Sequence, residues 1–213
     1  MTHRIVETVE RLSEILFGLI MTLTITGAVG VATADSIQIH HMVIAALGCN
    51  VAWGIIDAGM YLMARLGERG RNARMAKVIR ETPDPKSAHS IIANALPSLL
   101  ASIFGTEHLE MIRERINQMS PSDLRPKLTG RDFLGASEVC ILVILSTFPV
   151  VLPLVVLEDA RLALRASNAI AIISLFVCGF LFGRHAGLRP WRAGLIMVAI
   201  GVAQVSITIA LGG

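Results

Sequence analysis

The chain has 213 residues, of which 54% are hydrophobic and only 16% are charged, and its formal net charge is +3. Soluble domains carry about 25% charged residues, so this composition excludes an ordinary water-soluble domain. The apolar residues come in long blocks, too uniform for barrel strands, and they predict an all-α membrane protein.

Five apolar blocks reach or approach the length needed to cross a bilayer. About 20 helical residues cover the roughly 30 Å hydrocarbon core. The blocks lie at residues 15–33, 42–64, 133–157, 167–183 and 193–212. The sequence therefore predicts three parts, which are a transmembrane hairpin at 1–64, a cytoplasmic helical segment at 65–132 and a three-helix transmembrane part at 133–213.

The first block carries polar residues at helical spacing. Glu14, Gly18, Thr22 and Thr26 recur every four residues and share one face of a helix. This face either lines a polar path or reflects a glutamate at the interface and threonines bonded to their own helix. Arginines before the block and an A-x-A pattern after it also resemble a secretory signal peptide. Residues 1–34 are thus either a first span or a cleaved signal peptide, although the apolar run is long for the latter.

The second block contains Asp57, an unexpected carboxyl group in an apolar run. An aspartate at mid-bilayer costs about 2.5–3.5 kcal/mol, and such residues usually face a bundle interior or a cavity. Asn50, Gly54, Asp57 and Tyr61 share one helical face. Asp57 is therefore either an ion or proton site, or a protonated side chain that joins two helices by a hydrogen bond.

The hydrophilic segment contains an amphipathic stretch. Residues 91–103 place apolar side chains on one face of a predicted helix, with a kink at Pro97. We expect this helix to lie on the membrane surface or against the bundle. Glu107 and Glu110 follow on one side of a charged helix, where they are either metal ligands or solvated residues in pairs such as Glu110–Arg113.

The third block contains Glu138, together with Pro149 and Pro153. The two prolines predict a bent helix. Glu138 is either part of an ion path or an interfacial residue that reaches water. Met21 and Met60 in the first two blocks, and His40-His41 before the second, are either soft or borderline metal ligands or ordinary packing and interfacial residues.

The basic residues predict the orientation of the chain. Two precede the first block, twelve lie in segment 65–132, two follow the third block and three follow the fourth. The positive-inside rule then places the N-terminus in the cytoplasm and the C-terminus outside. The basic charge follows from this orientation and from anionic lipid, so no nucleic-acid partner is expected. A bacterial plasma membrane is the expected location.

No motif for catalysis or nucleotide binding occurs, so the sequence predicts that the protein is not an enzyme and has no resident cofactor.

Three stretches resemble the vacuolar iron transporter family. "SEILFG" followed by "TLTITGAVG" is similar to its first span, and "GMYLM" is similar to the G-E-Y-L-S of its second. The most specific similarity is "FGRHAGLRPWRAGLIMVAIG", which resembles the family's link between its last two helices. The resemblance implies a proton-coupled homodimer that exports Fe²⁺ or Mn²⁺ from the cytosol.

The chain departs from this family where the family binds metal. The family's aspartate in the first span falls at Met21, and its glutamate in the second falls at Met60. Of its E-x-x-E pattern only Glu107 and Glu110 remain. Carboxylates suit Fe²⁺ and Mn²⁺, whereas thioethers suit softer ions. Either the site is rebuilt around Asp57, or the fold persists without iron transport.

These observations predict a transporter of a divalent or transition-metal cation, with a non-transporting scaffold that acts through its cytoplasmic amphipathic helices as the alternative. The predicted ion pathway comprises Asp57, Glu14, Glu138, Thr22, Thr26, Asn50, Met21 and Met60. The predicted metal ligands are Asp57, Met60, Glu107 and Glu110. The expected partners are membrane lipid, the cation and a second copy of the chain.

Overall fold

The protein is built from α-helices. In the computed structural model, residues 2–28, 36–120 and 122–210 are described. These residues form eight helices and no strand: α1 (Thr2–Ala28), α2 (Ser36–Glu81), α3 (Pro85–Ala95), α4 (Ser98–Ile103), α5 (Thr106–Gln118), α6 (Gly130–Val156), α7 (Ala160–His185) and α8 (Pro190–Ala210). The prediction of an all-α protein is confirmed for this part of the chain.

Four helices, α2, α6, α7 and α8, are long and apolar enough to cross a membrane. The sequence predicted five spans, so the described residues give one fewer. The missing one is the first, because the described part of α1 carries charged residues such as Glu10, Arg11 and Glu14 beside its apolar half. The end of that predicted span, and with it the suggested cleavage pattern at 32–34, lies outside the described residues, as do residues 211–212 of the fifth block.

The connection between α7 and α8 shows how the sequence ends one helix and starts the next. Gly187 has a φ of 72°, which glycine adopts without steric cost. The Leu188 N–H donates to the carbonyl oxygen of Gly183 at 2.8 Å, which closes the last turn of α7. Pro190 then occupies the first position of α8, where no N–H is needed. This tight link lies within the stretch that carries the family resemblance.

Two compact units divide the chain. Unit 1 comprises the described residues of 1–60 and 134–213, and unit 2 comprises those of 61–133. The core of unit 1 includes a cluster in which α1 packs on α6 and α7; its buried members are Leu16, Leu19, Leu23, Val150, Ala171 and Leu175. The apolar half of α1 is therefore part of the same bundle as these two candidate spans.

Unit 2 has a separate core, in which Ile79, Ile92 and Leu109 are buried. The predicted single amphipathic helix over 91–103 is wrong: α3 ends at Ala95, Leu96 is extended at φ −81° and ψ 149°, and α4 starts after Pro97. The physical reason is that a proline disfavours the helical conformation of the residue before it. The predicted helix is therefore interrupted between α3 and α4, where the sequence predicted only a kink. The apolar side chains of α3 and α4 consequently have different surroundings.

Candidate functional site

Two carboxyl groups meet inside unit 1. Glu14 on α1 and Asp57 on α2 lie within hydrogen-bonding reach of each other. Oε2 of Glu14 and Oδ2 of Asp57 are buried, and no N–H or O–H group of the described residues donates a hydrogen bond to either oxygen. Two carboxylates cannot share a hydrogen bond unless one of them carries a proton. Because two unprotonated carboxylates at this separation repel each other, the pair favours a bound proton or a cation in its place.

Thr22 and Asn50 connect α1 to α2 deeper in the bundle. Both side chains are fully buried. Asn50 Nδ2 donates to Thr22 Oγ1 at 3.0 Å and to the Ala46 carbonyl oxygen at 3.1 Å, while the Thr22 hydroxyl donates to the Gly18 carbonyl oxygen at 2.8 Å. Thr22 thus bonds its own helix, as one of the two sequence-based alternatives holds, and it also accepts from the neighbouring helix. Asn50 Oδ1 is buried and has no hydrogen-bond partner among the residues that the structure describes.

Thr26 continues the same face of α1 towards α7. It is fully buried, and its Oγ1 lies 3.2 Å from Asn168 Oδ1 on α7 and 3.3 Å from the Leu23 carbonyl oxygen. Ser167, the neighbour of Asn168, is also fully buried, and its Oγ has no partner. The polar face of α1 therefore meets polar groups on two other helices.

Gly18 allows α6 to approach this polar face. A Cβ atom at position 18 would collide with the Ser146 Oγ, and it would lie 3.1 Å from the Val143 carbonyl oxygen and 3.3 Å from Asn50 Oδ1. The Ser146 hydroxyl is buried and donates to the Val143 carbonyl oxygen at 2.6 Å. Helices α1, α2 and α6 thus come together at one glycine, and the polar atoms of all three face this point.

Glu138 on α6 is engaged by an arginine of α1. Arg11 Nη2 lies 2.8 Å from Glu138 Oε2, and the two side chains are 44% and 45% exposed. An ion pair as exposed as this contributes little stability. Arg11 lies one helical turn from Glu14 on α1. The predicted pathway residues Glu14, Asp57 and Glu138 lie on α1, α2 and α6, and Glu138 is paired with Arg11.

The methionines and histidines are more peripheral. Met21 is half-buried, whereas Met60 is 60% exposed. His40 and His41 are exposed and contact each other edge to face, with ring centroids 6.3 Å apart. No three His, Cys, Asp or Glu side chains within the described ranges come together in a group able to hold a metal ion.

Glu107 and Glu110 lie on α5 in unit 2. Glu107 is exposed. Glu110 accepts from Arg113 Nη2 at 2.9 Å and contacts His89 Nε2 on α3 at 2.5 Å. Hydrogen bonds from Arg113 and then from His89 lower the pKa of Glu110. The two predicted ligands thus have different surroundings: Glu107 is exposed, whereas Glu110 joins α5 to α3 through His89.

Ser146, Ser167 and Asn168 were not among the residues predicted from the sequence. Ser167 and Asn168 stand at the start of an apolar block, where polar residues are equally typical of a membrane interface. Ser146 adjoins Thr147 in an apolar run and has no polar neighbour at helical spacing. The residue type of Asn168 could have indicated its contact with α1, because an amide side chain in a span tends to hydrogen-bond to another helix.

No protein-family model matches the chain, and no curated protein is found to match it.

Proposed function

We propose that the protein is an integral membrane transporter of a divalent or transition-metal cation, with Fe²⁺ and Mn²⁺ as the leading candidates, and that transport is coupled to protons. The observation that carries this proposal is the contact between the Glu14 and Asp57 carboxyl groups. A pair that binds either a proton or a cation has the chemistry required for exchange between the two.

The buried polar residues beside the pair support a path through the bundle. Glu14, Thr22 and Thr26 lie on one face of α1. Thr26 is 12 positions after Glu14, a rise of about 18 Å along the helix. This length is more than half of the roughly 30 Å hydrocarbon core. Polar side chains buried at membrane depth are costly and usually face a partner or a cavity. Asn50 and Asn168 supply partners on α2 and α7.

In this proposal five helices cross the membrane, because the apolar half of α1 packs in the core with α6 and α7. The N-terminus and unit 2 are cytoplasmic, and the C-terminus is outside, as the distribution of Lys and Arg favours. The membrane is a bacterial plasma membrane, because the chain is small and shows no organellar transit pattern. The transporter is a homodimer, as the resemblance to the vacuolar iron transporter family implies.

The cargo follows from the ligands. The free oxygens of Glu14 and Asp57 suit Fe²⁺ or Mn²⁺. Met21 lies on α1 as a half-buried thioether, which would favour a softer ion if it takes part. In this proposal Met60, Glu107 and Glu110 are not part of the transport site. Met60 is largely exposed, and the two glutamates belong to unit 2.

The test is metal flux into proteoliposomes with internal pH followed at the same time, across Fe²⁺, Mn²⁺, Co²⁺, Zn²⁺ and Cu⁺. We expect flux and the matching proton movement in the wild type. We expect both to be lost in Asp57→Asn and in Glu14→Gln. Thr24→Val is the matched control, because Thr24 bonds only to the Ile20 carbonyl oxygen of its own helix. Unchanged flux in both carboxyl variants would contradict the proposal.

A second candidate is a non-transporting membrane scaffold that acts through unit 2. The observation in its favour is the exposed apolar face of α4, which has no buried residue. Absence of flux for every ion in the panel, from protein that is folded and correctly inserted, would favour the scaffold over the transporter.

A further inference from the structure

Helix α4 presents an apolar face that unit 2 does not cover. Leu99, Leu100 and Ile103 are 70%, 39% and 65% exposed. Position 103 is four residues from 99 and three from 100, so these side chains share one face of the helix. Ser98 and Ser102 occupy the other side. Unit 2 exposes other large apolar side chains as well, but on α4 three of them share one face of one short helix.

The exposed face belongs to an ordered part of unit 2. Ile92 on α3 and Leu109 on α5 are 3% and 8% exposed, so the unit has a core of its own. Phe104, which follows α4 directly, packs against this core and stacks on His108 with ring centroids 5.5 Å apart. Phe104 therefore holds the end of α4 in place while the apolar side chains of the helix point away from the core.

Charge favours an anionic surface as the partner. Residues 61–133 contain twelve Lys and Arg against eight Asp and Glu. Basic segments beside a membrane are attracted to anionic lipid headgroups. Near the start of unit 2 the Arg65 guanidinium lies over the Tyr61 ring, 5.0 Å from its centroid. Aromatic and basic residues of this kind are typical of a membrane–water interface.

Covalent connection favours a bilayer over a soluble partner. Unit 2 begins within α2 and ends within α6, and both helices are long and apolar enough to cross a membrane. A tether of this kind gives the bilayer a high effective concentration around unit 2. We propose that α4 inserts Leu99, Leu100 and Ile103 into the surface of a bilayer that contains anionic lipid. This interaction does not depend on transport.

The test places an environment-sensitive NBD fluorophore on each face of α4 in the full-length protein. Leu100→Cys labels the apolar face, and Ser102→Cys, about 160° away around the helix, labels the opposite one. Both are reconstituted in nanodiscs of phosphatidylcholine and phosphatidylglycerol, with a spin-labelled lipid as quencher. Protein with only its native Cys49, Cys140 and Cys178 measures the background. Hydrogen exchange of α3 and α5 verifies that unit 2 is folded in each variant, and Ile103→Cys replaces Leu100→Cys if it is not.

We expect the apolar-face probe to be blue-shifted and quenched about twofold more strongly than the Ser102 probe, since an interfacial helix buries one face only. Quenching should fall when phosphatidylglycerol is omitted or salt is raised. Equal quenching of both faces, or none, would overturn the proposal. Equal quenching in neutral discs would overturn the assignment to an anionic surface. A blue shift without lipid quenching would mean that a second copy of the chain covers the face, which also overturns it.

Discussion

The carboxyl group of Glu14 on α1 lies within hydrogen-bonding reach of the carboxyl group of Asp57 on α2. Arg11, one turn away from Glu14, is engaged by Glu138 at 2.8 Å. Glu10 adds a further negative charge near Glu14. The acidic groups of Glu10, Glu14 and Asp57 therefore lie close together, and Arg11 is already paired with Glu138. A proton or a cation would relieve the repulsion between these acidic groups.

The first prediction concerns the proton in this pair. Because two carboxyl oxygens can share a hydrogen bond only when one is protonated, wild-type protein at neutral pH should show a carboxylic-acid C=O band in its infrared spectrum. The band should shift on transfer to D₂O. Asp57→Asn should remove it, while the new amide still donates to Glu14 and keeps the helices together. If the band persists in Asp57→Asn and in Glu14→Gln, it arises elsewhere and the pair does not hold the proton.

A second prediction concerns the contact between α2 and α6. A Cβ atom at position 54 would lie 3.0 Å from the Cys140 carbonyl oxygen and 3.4 Å from its Cα, so the obstacle is backbone. Gly54→Ala should therefore lower the stability by about 1–3 kcal/mol. Gly48→Ala is the matched control, because nothing lies within 4 Å of its added methyl group. Thermal unfolding in detergent compares the two, and equal melting temperatures would contradict this packing.

A third prediction concerns the hydrogen bond between Asn50 and Thr22. Such bonds between helices in a membrane couple by about 0.6 kcal/mol on average and about 1.7 at most. A double-mutant cycle of Thr22→Val and Asn50→Val should give a coupling in this range. The same cycle with Thr24→Val should give none, because Thr24 bonds only within α1. Equal couplings for the two threonines would show that the stabilisation does not come from this bond.

The helical character of the chain could be predicted because long apolar blocks are visible in the sequence. Asp57 could be singled out because it is an isolated charge within one of them. The sequence also placed Glu14 and Asp57 each on a polar face. Their contact could not be predicted, because it depends on how α1 and α2 rotate about their axes. Asn168 was missed for the same reason, since only packing shows whether a polar residue near the end of a span faces water or Thr26.

A fourth prediction concerns the pH dependence of unit 2. Hydrogen bonds from Arg113 and His89 lower the pKa of Glu110 below its ordinary value of 4.5. A carboxylate with a lowered pKa stabilises the fold above its unfolded pKa, and this stabilisation is lost as the pH falls through the folded value. Protection of α5 from protease should therefore decline below about pH 4.5.

Substitution separates this effect from general acid sensitivity. Glu110→Gln should already be less protected at neutral pH and should show a flatter decline in acid. Glu107→Gln, an exposed residue of the same helix, is the control and should behave as the wild type. An unchanged acid profile in Glu110→Gln would mean that its contacts to Arg113 and His89 do not stabilise unit 2.

The last prediction concerns the ion pair that joins α2 to the start of α6 within unit 2. Arg69 Nη1 and Nη2 lie 2.7 Å and 2.9 Å from the two carboxylate oxygens of Asp132, which is only 5% exposed. Asp132 also accepts from the Thr129 N–H at 2.6 Å, as in a capping box. Arg69→Ala leaves a buried carboxylate without its cation, so it should open residues 122–132 to hydrogen exchange, whereas the exposed Arg71→Ala should not.

Removal of both partners tests the cause of that effect. If the loss in Arg69→Ala comes from an unpaired buried charge, then the double variant Arg69→Ala/Asp132→Ala should recover part of the protection, since no charge remains to be compensated. Recovery will be incomplete, because the Thr129 N–H also loses its acceptor at the start of α6. If the loss of protection in the double variant instead equals the sum of the losses in the two single variants, the two side chains contribute independently. In that case the bidentate pair does not protect residues 122–132 from exchange.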